Sequence, residues 1–146
     1  MAKKSYTPVL VGVADFINAS TKIEDAVEPL KLILKASHLA LQDTSLPPSS
    51  LSTLQASIDS VGVVAPWSWN YYDLPGLVGN GLGVKIREEG KVLSHHGGDS
   101  PAKLLDEAAR RVAIGESRVS IVCGGEALAS CMFLYFHLSH PLQDVY

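Results

Sequence analysis

Between His95 and Glu126 the chain reads His-His-Gly-Gly-Asp-Ser-Pro, a helix-patterned segment to Ile114, Gly115, an apolar run, and then Cys-Gly-Gly-Glu. That order constrains the fold strongly: a glycine-rich turn feeds a helix, and a strand follows that ends in a second pair of glycines. Pro101 suits the first turn of a helix, where its missing N–H would be unpaired anyway, with Ser100 or Asp99 as the N-cap. Gly115 closes the helix. Leu104, Leu105, Ala108 and Val112 recur at helical spacing, while Lys103, Asp106, Glu107, Arg110 and Arg111 fall largely on the other side. Opposite charges stand four apart, as Lys103 with Glu107, Asp106 with Arg110 and Glu107 with Arg111, each worth a few tenths of a kcal/mol. Val119 to Cys123 is a strand by content.

Upstream, Val9 to Val13 is a short β-branched run that reads as a strand covered on both faces, the central first strand of a sheet. Ala14 to Lys22 reads as a polar surface loop. Val27, Leu30, Ile33, Leu34, Ser37 and Leu41 then mark one face of a helix, which must start near Glu28 because Pro29 is tolerable only in the first turn. Leu46-Pro47-Pro48-Ser49-Ser50 is a breaker, followed by a helical turn over Leu51 to Gln55 and a strand over Ile58 to Ala65. Leu74 to Val84 suits a short helix weakened by its glycines, and Lys91 to His95 a further strand. Strand, helix, strand units imply parallel pairing with right-handed crossovers. The expected class is therefore α/β: an open, mainly parallel sheet of about four strands with helices on both faces.

Several functions are disfavoured by the totals. A chain of 146 residues suits one domain able to bury roughly 70% of its unfolded surface. With 47% hydrophobic residues, 18% charged residues and a net charge of −3, it carries no basic nucleic-acid face and no disordered signature. Cys123 and Cys131 lack metal-ligand spacing, which argues for a reducing compartment and against both a disulfide framework and a metal site. Gly79-Asn80-Gly81-Leu82-Gly83 does not have dinucleotide-loop spacing, and no Walker motif is present. The amino terminus lacks a secretory apolar stretch, and no apolar run reaches the roughly 20 residues that span a bilayer. Without a carboxy-terminal Ser-Lys-Leu, a cytoplasmic or peroxisomal location carries no visible address.

The stretch Gly98-Asp99-Ser100, Gly115 and Gly124-Gly125-Glu126-Ala127-Leu128-Ala129-Ser130 resembles the middle of the thiolase amino-terminal half. There a turn at the start of a helix carries the nucleophilic cysteine, and a short strand ends in Gly-Gly followed by Glu. The match is closest to the acetyl-CoA acetyltransferase-like branch allied to the sterol-carrier-protein thiolases, in which Gly-Gly-Asn/Asp-Ser/Thr-Pro replaces the cysteine motif. It covers about Pro8 to Ser130. That makes residues 1–130 an incomplete thiolase-like amino-terminal domain and residues 131–146 a divergent apolar tail, read here as an abnormal terminus. The resemblance implies acyl transfer on coenzyme A thioesters, with no bound cofactor and acyl-CoA as substrate. It also implies that Gly98, or Asp99 if the strand shifts by one, occupies the nucleophile's position.

Neither residue can attack a thioester, and the family's second cysteine and histidine come from a carboxy-terminal half outside the matched region. Among substitutes, Ser100 beside His95 and His96 could form a Ser–His pair, although a serine there is more simply a helix cap. His96, Asp99 and Ser100 are thus the weak catalytic candidates. Consecutive His95 and His96 point to opposite faces of an extended strand and cannot share a metal. Cys123 reads as a buried, inert thiol. Glu126 reads as a backbone hydrogen-bond partner rather than a catalyst. Trp67 and Trp69, in the aromatic segment Pro66-Trp67-Ser68-Trp69-Asn70-Tyr71-Tyr72, lie where a strand leaves the sheet at its carboxyl end. With Gly124 and Gly125 they are the candidates for ligand contact, although a lid or subunit contact suits the aromatics better. Two expectations follow. One is a thiolase-like scaffold not competent for thiolysis; the other is a noncatalytic fragment that binds a thiolase-like subunit, another copy of itself or another protein.

Overall fold

The computed structural model describes residues 5–20, 22–129 and 132. Its elements run α1 (Pro29–Asp43), α2 (Pro48–Ala56), β1 (Ile58–Val64), α3 (Leu74–Gly81), β2 (Lys91–Leu93), α4 (Ser100–Ala113) and β3 (Val119–Gly124), with single 3₁₀ turns at Ile23–Asp25 and Glu88–Gly90. Proline stands in the first turn of each of these four α-helices of the described residues, where its missing donor costs nothing. The expected tail, residues 131–146, lies outside the described residues apart from Met132.

The three strands form a parallel sheet in the order β2-β1-β3. The chain moves from β1 sideways to β2 through α3, then returns past β1 to β3 through α4. Because the two crossovers run in opposite directions, a right-handed path puts their helices on opposite faces. Packing agrees with this. Val61 and Val63 of β1 join Ile33 of α1 and Leu74 and Val78 of α3 in the main core, while Gly62 between them faces Leu104 of α4. Alternation along one strand therefore serves two helix layers. In α1 the buried positions Pro29, Ile33 and Ser37 recur every four residues and form the stripe turned to this core.

Asp59 fixes the register between β1 and β3. The pairing shifts between Ile58 and Ser60, and the Asp59 carboxylate accepts from the Ser117 hydroxyl at 2.6 Å and from the amides of Arg118 and Val119 at 3.1 and 3.4 Å. These are the residues that lead into β3.

One expected strand does not form. Val9 to Val13 makes no ladder and leaves Val9, Leu10, Val11 and Val13 between 54% and 74% exposed; β1 holds the central place instead. The run is held by helix ends rather than by a strand. The Tyr6 amide donates to Ala113 of α4 at 2.9 Å, the Val13 amide donates to the Asp43 carboxylate of α1 at 2.9 Å, and Gly12 sits so close to the Ala40 carbonyl that no side chain would fit. The sheet accordingly has three strands among the described residues rather than about four. No described helix is long and apolar enough to cross a membrane.

Candidate functional site

Adjacent parallel strands whose following helices lie on opposite faces leave a crevice beyond their carboxyl ends. Here those strands are β1, which leads to α3, and β2, which leads to α4. Two loops meet at that point. The loop after β1 carries the aromatic segment, and the loop after β2 carries His95 to Asp99. They are joined where the Ala65 amide donates to the Ser94 hydroxyl at 3.0 Å and the Ser94 amide donates to the Val63 carbonyl at 2.9 Å. Beyond that junction the Trp67 and His96 rings stack across the crevice, 4.4 Å between centroids and tilted by 34°. Trp67 remains 75% exposed.

Glu126, at the end of β3, completes the rim. Its carboxylate accepts from the amides of Trp67 at 2.6 Å, Ser68 at 3.3 Å and Ala127 at 2.9 Å, and from the Ser68 hydroxyl. Burial pushes this carboxyl up, but the Ser68 hydroxyl and the three amides outweigh it and hold Glu126 below the usual carboxylate range. Trp69 is half-buried in the same loop. Tyr71, farther along, accepts from the Leu30 amide at 3.2 Å and donates to Glu28 at 3.1 Å, which ties the loop to the start of α1.

The turn before α4 differs from the simplest reading of its sequence. Asp99 is the N-cap residue, but its side chain does not cap the helix; it pairs with Lys103 at 2.5 Å and His95 at 3.3 Å. The Lys103 ammonium is the main reason that Asp99 is held below the usual range. Ser100 is not the cap either. It lies inside the first turn, 1% exposed, and its hydroxyl donates to the His95 carbonyl at 2.7 Å. A serine so engaged is bonded to backbone, with no imidazole as its acceptor. His95 and His96 turn to different partners, Asp99 and Trp67, and no cluster of metal-ligating side chains occurs among the described residues.

Gly98 stands just before the N-cap of α4, and a β-carbon added there would meet nothing within 4 Å. Gly124 and Gly125 are different. A β-carbon would come within 2.9 Å of Val64 at the first and 2.8 Å of Ile33 at the second, so close packing alone accounts for both glycines. Cys123 sits in β3 with its sulfur 3.7 Å from the Gly62 carbonyl, and burial pushes its thiol up to about 12. Beside this rim an open groove of about 520 Å³ runs between β2 and α4, lined by Leu93, His95, Ser100, Lys103, Leu104 and Arg110 among others.

No protein-family model and no curated protein matches the sequence. Among solved structures, the chain matches a monomeric SCP2-thiolase-like protein type 1 from Mycobacterium smegmatis with a TM-score of 0.65 and 27% identity. The chain is thiolase-like. The match covers 81% of this chain and 23% of that protein, so the thiolase-like chain spans about a quarter of its neighbour's length. The relationship expected from Gly98, Gly115 and Gly124-Gly125-Glu126 and the α/β class both stand. The part played by Glu126 at the crevice could be read from sequence only as a tendency to bond backbone. Its donors, Trp67 and Ser68, are almost sixty positions away and carry no local signal.

Proposed function

We propose that this thiolase-like chain provides a scaffold for coenzyme A thioesters and does not itself form an acyl-enzyme. The observation that carries the reading is the turn ahead of α4. A helix start lowers the pKa of a thiol placed there and makes it a nucleophile, yet the position ahead of this helix is Gly98, with open space before it. The nearest alternatives are chemically occupied. Ser100 donates to a carbonyl, and the half-buried Cys123 thiol is pushed up to about 12. Acyl-CoA is the ligand class that the thiolase-like relationship suggests, and the crevice between the loops after β1 and β2 is where such a fold accepts a ligand.

The test is a steady-state assay of the purified chain with acetoacetyl-CoA and coenzyme A. No turnover is expected. Turnover abolished by Ser100→Ala would overturn the noncatalytic reading, and failure of any acyl-CoA to bind in equilibrium dialysis would overturn the ligand class.

A second reading has its own observation. The outer edge of β3 has no partner strand among the described residues, and Val9 to Val13 expose a run of apolar side chains. Surfaces of both kinds commonly mark interfaces. On this reading the chain docks to a thiolase-like subunit or to another copy of itself. Light scattering coupled to size exclusion decides, since a monomer that persists on concentration would remove the motive for self-association.

A further inference from the structure

The three loops at the carboxyl end of the sheet belong to three different strands, and one side chain bonds two of them together. Glu126, after β3, reaches across to the loop after β1 and accepts from both the Trp67 and Ser68 amides, 59 and 58 positions away in sequence. A carboxylate offers about four lone-pair sites. Oε1 takes the Ser68 and Ala127 amides and the Ser68 hydroxyl, and Oε2 takes the Trp67 amide. With its backbone held so, Trp67 lays its ring on His96 of the loop after β2. An indole that is 75% exposed gains little from burial to keep it in place. What Glu126 holds is the backbone that carries this ring.

We propose that Glu126 is a positioning residue that closes the crevice between β1 and β2: its carboxylate seats Trp67 against His96, and losing the carboxylate frees the ring. The inference stands on geometry alone and is independent of whether the chain handles acyl-CoA. Gln keeps one acceptor but no charge, and it brings a donor amide that meets only donors at this position. Glu126→Gln should therefore loosen the loop in part, and Glu126→Ala should free it.

The readout is the ring-current displacement of the His96 carbon-bound protons, followed by NMR of the intact chain at one fixed pH for all variants. Trp67→Ala defines the displacement due to the indole. Glu126→Ala should move the His96 resonances by most of that amount, and Glu126→Gln by about half of it, while the amide spectrum of β1 and β3 stays dispersed. The proposal is overturned if the Glu126 variants leave the His96 resonances at their wild-type positions while Trp67→Ala moves them. It is also overturned if Trp67→Ala moves nothing. Should Glu126→Ala fail to fold, Glu126→Gln and Ser68→Ala, which removes the hydroxyl donor alone, are read by the same criterion, and wild-type positions in both would again overturn it.

Discussion

Gly98 and Cys123 show how position, rather than residue type, decides the chemistry of a thiol here. Cys123 is held as the neutral thiol by burial at a pKa of about 12. An ordinary thiol has a pKa near 8.5, so at pH 8 Cys123 should react with iodoacetamide roughly a thousandfold more slowly than a free thiol. Labelling of a Cys131→Ser chain, read by mass spectrometry with and without urea, checks this, and rapid labelling without denaturant would contradict it. Gly98→Cys places sulfur where a β-carbon meets nothing within 4 Å and where α4 begins. The variant should fold with a stability change within about 0.5 kcal/mol. Its new thiol should be labelled far faster than Cys123, since a helix start stabilises a thiolate.

Among the elements, α4 was legible almost to the residue, because Pro101, a clear amphipathic pattern and Gly115 agree on one helix. Its Leu104 is 6% exposed over Gly62, so Leu104→Ala should cost about 2–5 kcal/mol in urea unfolding, where a surface position would cost little. The start of that helix was less legible. Ser100 and Asp99 both have capping chemistry, yet Ser100 turns back to the His95 carbonyl and Asp99 prefers Lys103 and His95. Of the expected side-chain pairs, Asp106 with Arg110 forms and the other two do not, Lys103 turning to Asp99. Arg110 takes both Asp106 and Glu107, while Arg111 reaches Ser60 and the Glu89 carbonyl instead of Glu107. Val9 to Val13 failed for a different reason. A continuous apolar run reports that burial would be favourable, but a strand also needs a neighbour's N–H and C=O groups, and local sequence does not say who supplies them. The site was readable in outline, as an aromatic loop and a Gly-Gly turn at strand ends. The Trp67–His96 contact and the role of Glu126 depend on long-range topology.

At the scale of the whole molecule, carboxylates bind the sheet together at both ends. Asp59 holds the entry to β3, and Glu126 holds the loops at the exit. Asp73 caps α3 through the Gly76 amide and pairs with Lys91 at 2.7 Å. All three are held below their ordinary values. For Asp59 and Glu126 burial opposes the shift but hydrogen bonds outweigh it; for Asp73 the Lys91 ammonium leads. A folded-state pKa below the unfolded one gives stability that is complete above the unfolded value and is lost as pH falls through the folded one. The urea midpoint should therefore hold steady from pH 7 to about 5 and fall below about pH 4. In Asp59→Asn that acid-side fall should be shallower, and an equally steep fall would show that Asp59 does not contribute.

The central proposal is that a thiolase-like scaffold here presents a helix start without a working nucleophile. Its most direct test is the intact mass of the chain after incubation with acetyl-CoA and with acetoacetyl-CoA. The account predicts an unmodified mass in both; an acyl adduct mapped to Ser100, or to any residue from His95 to Asp99, would contradict it.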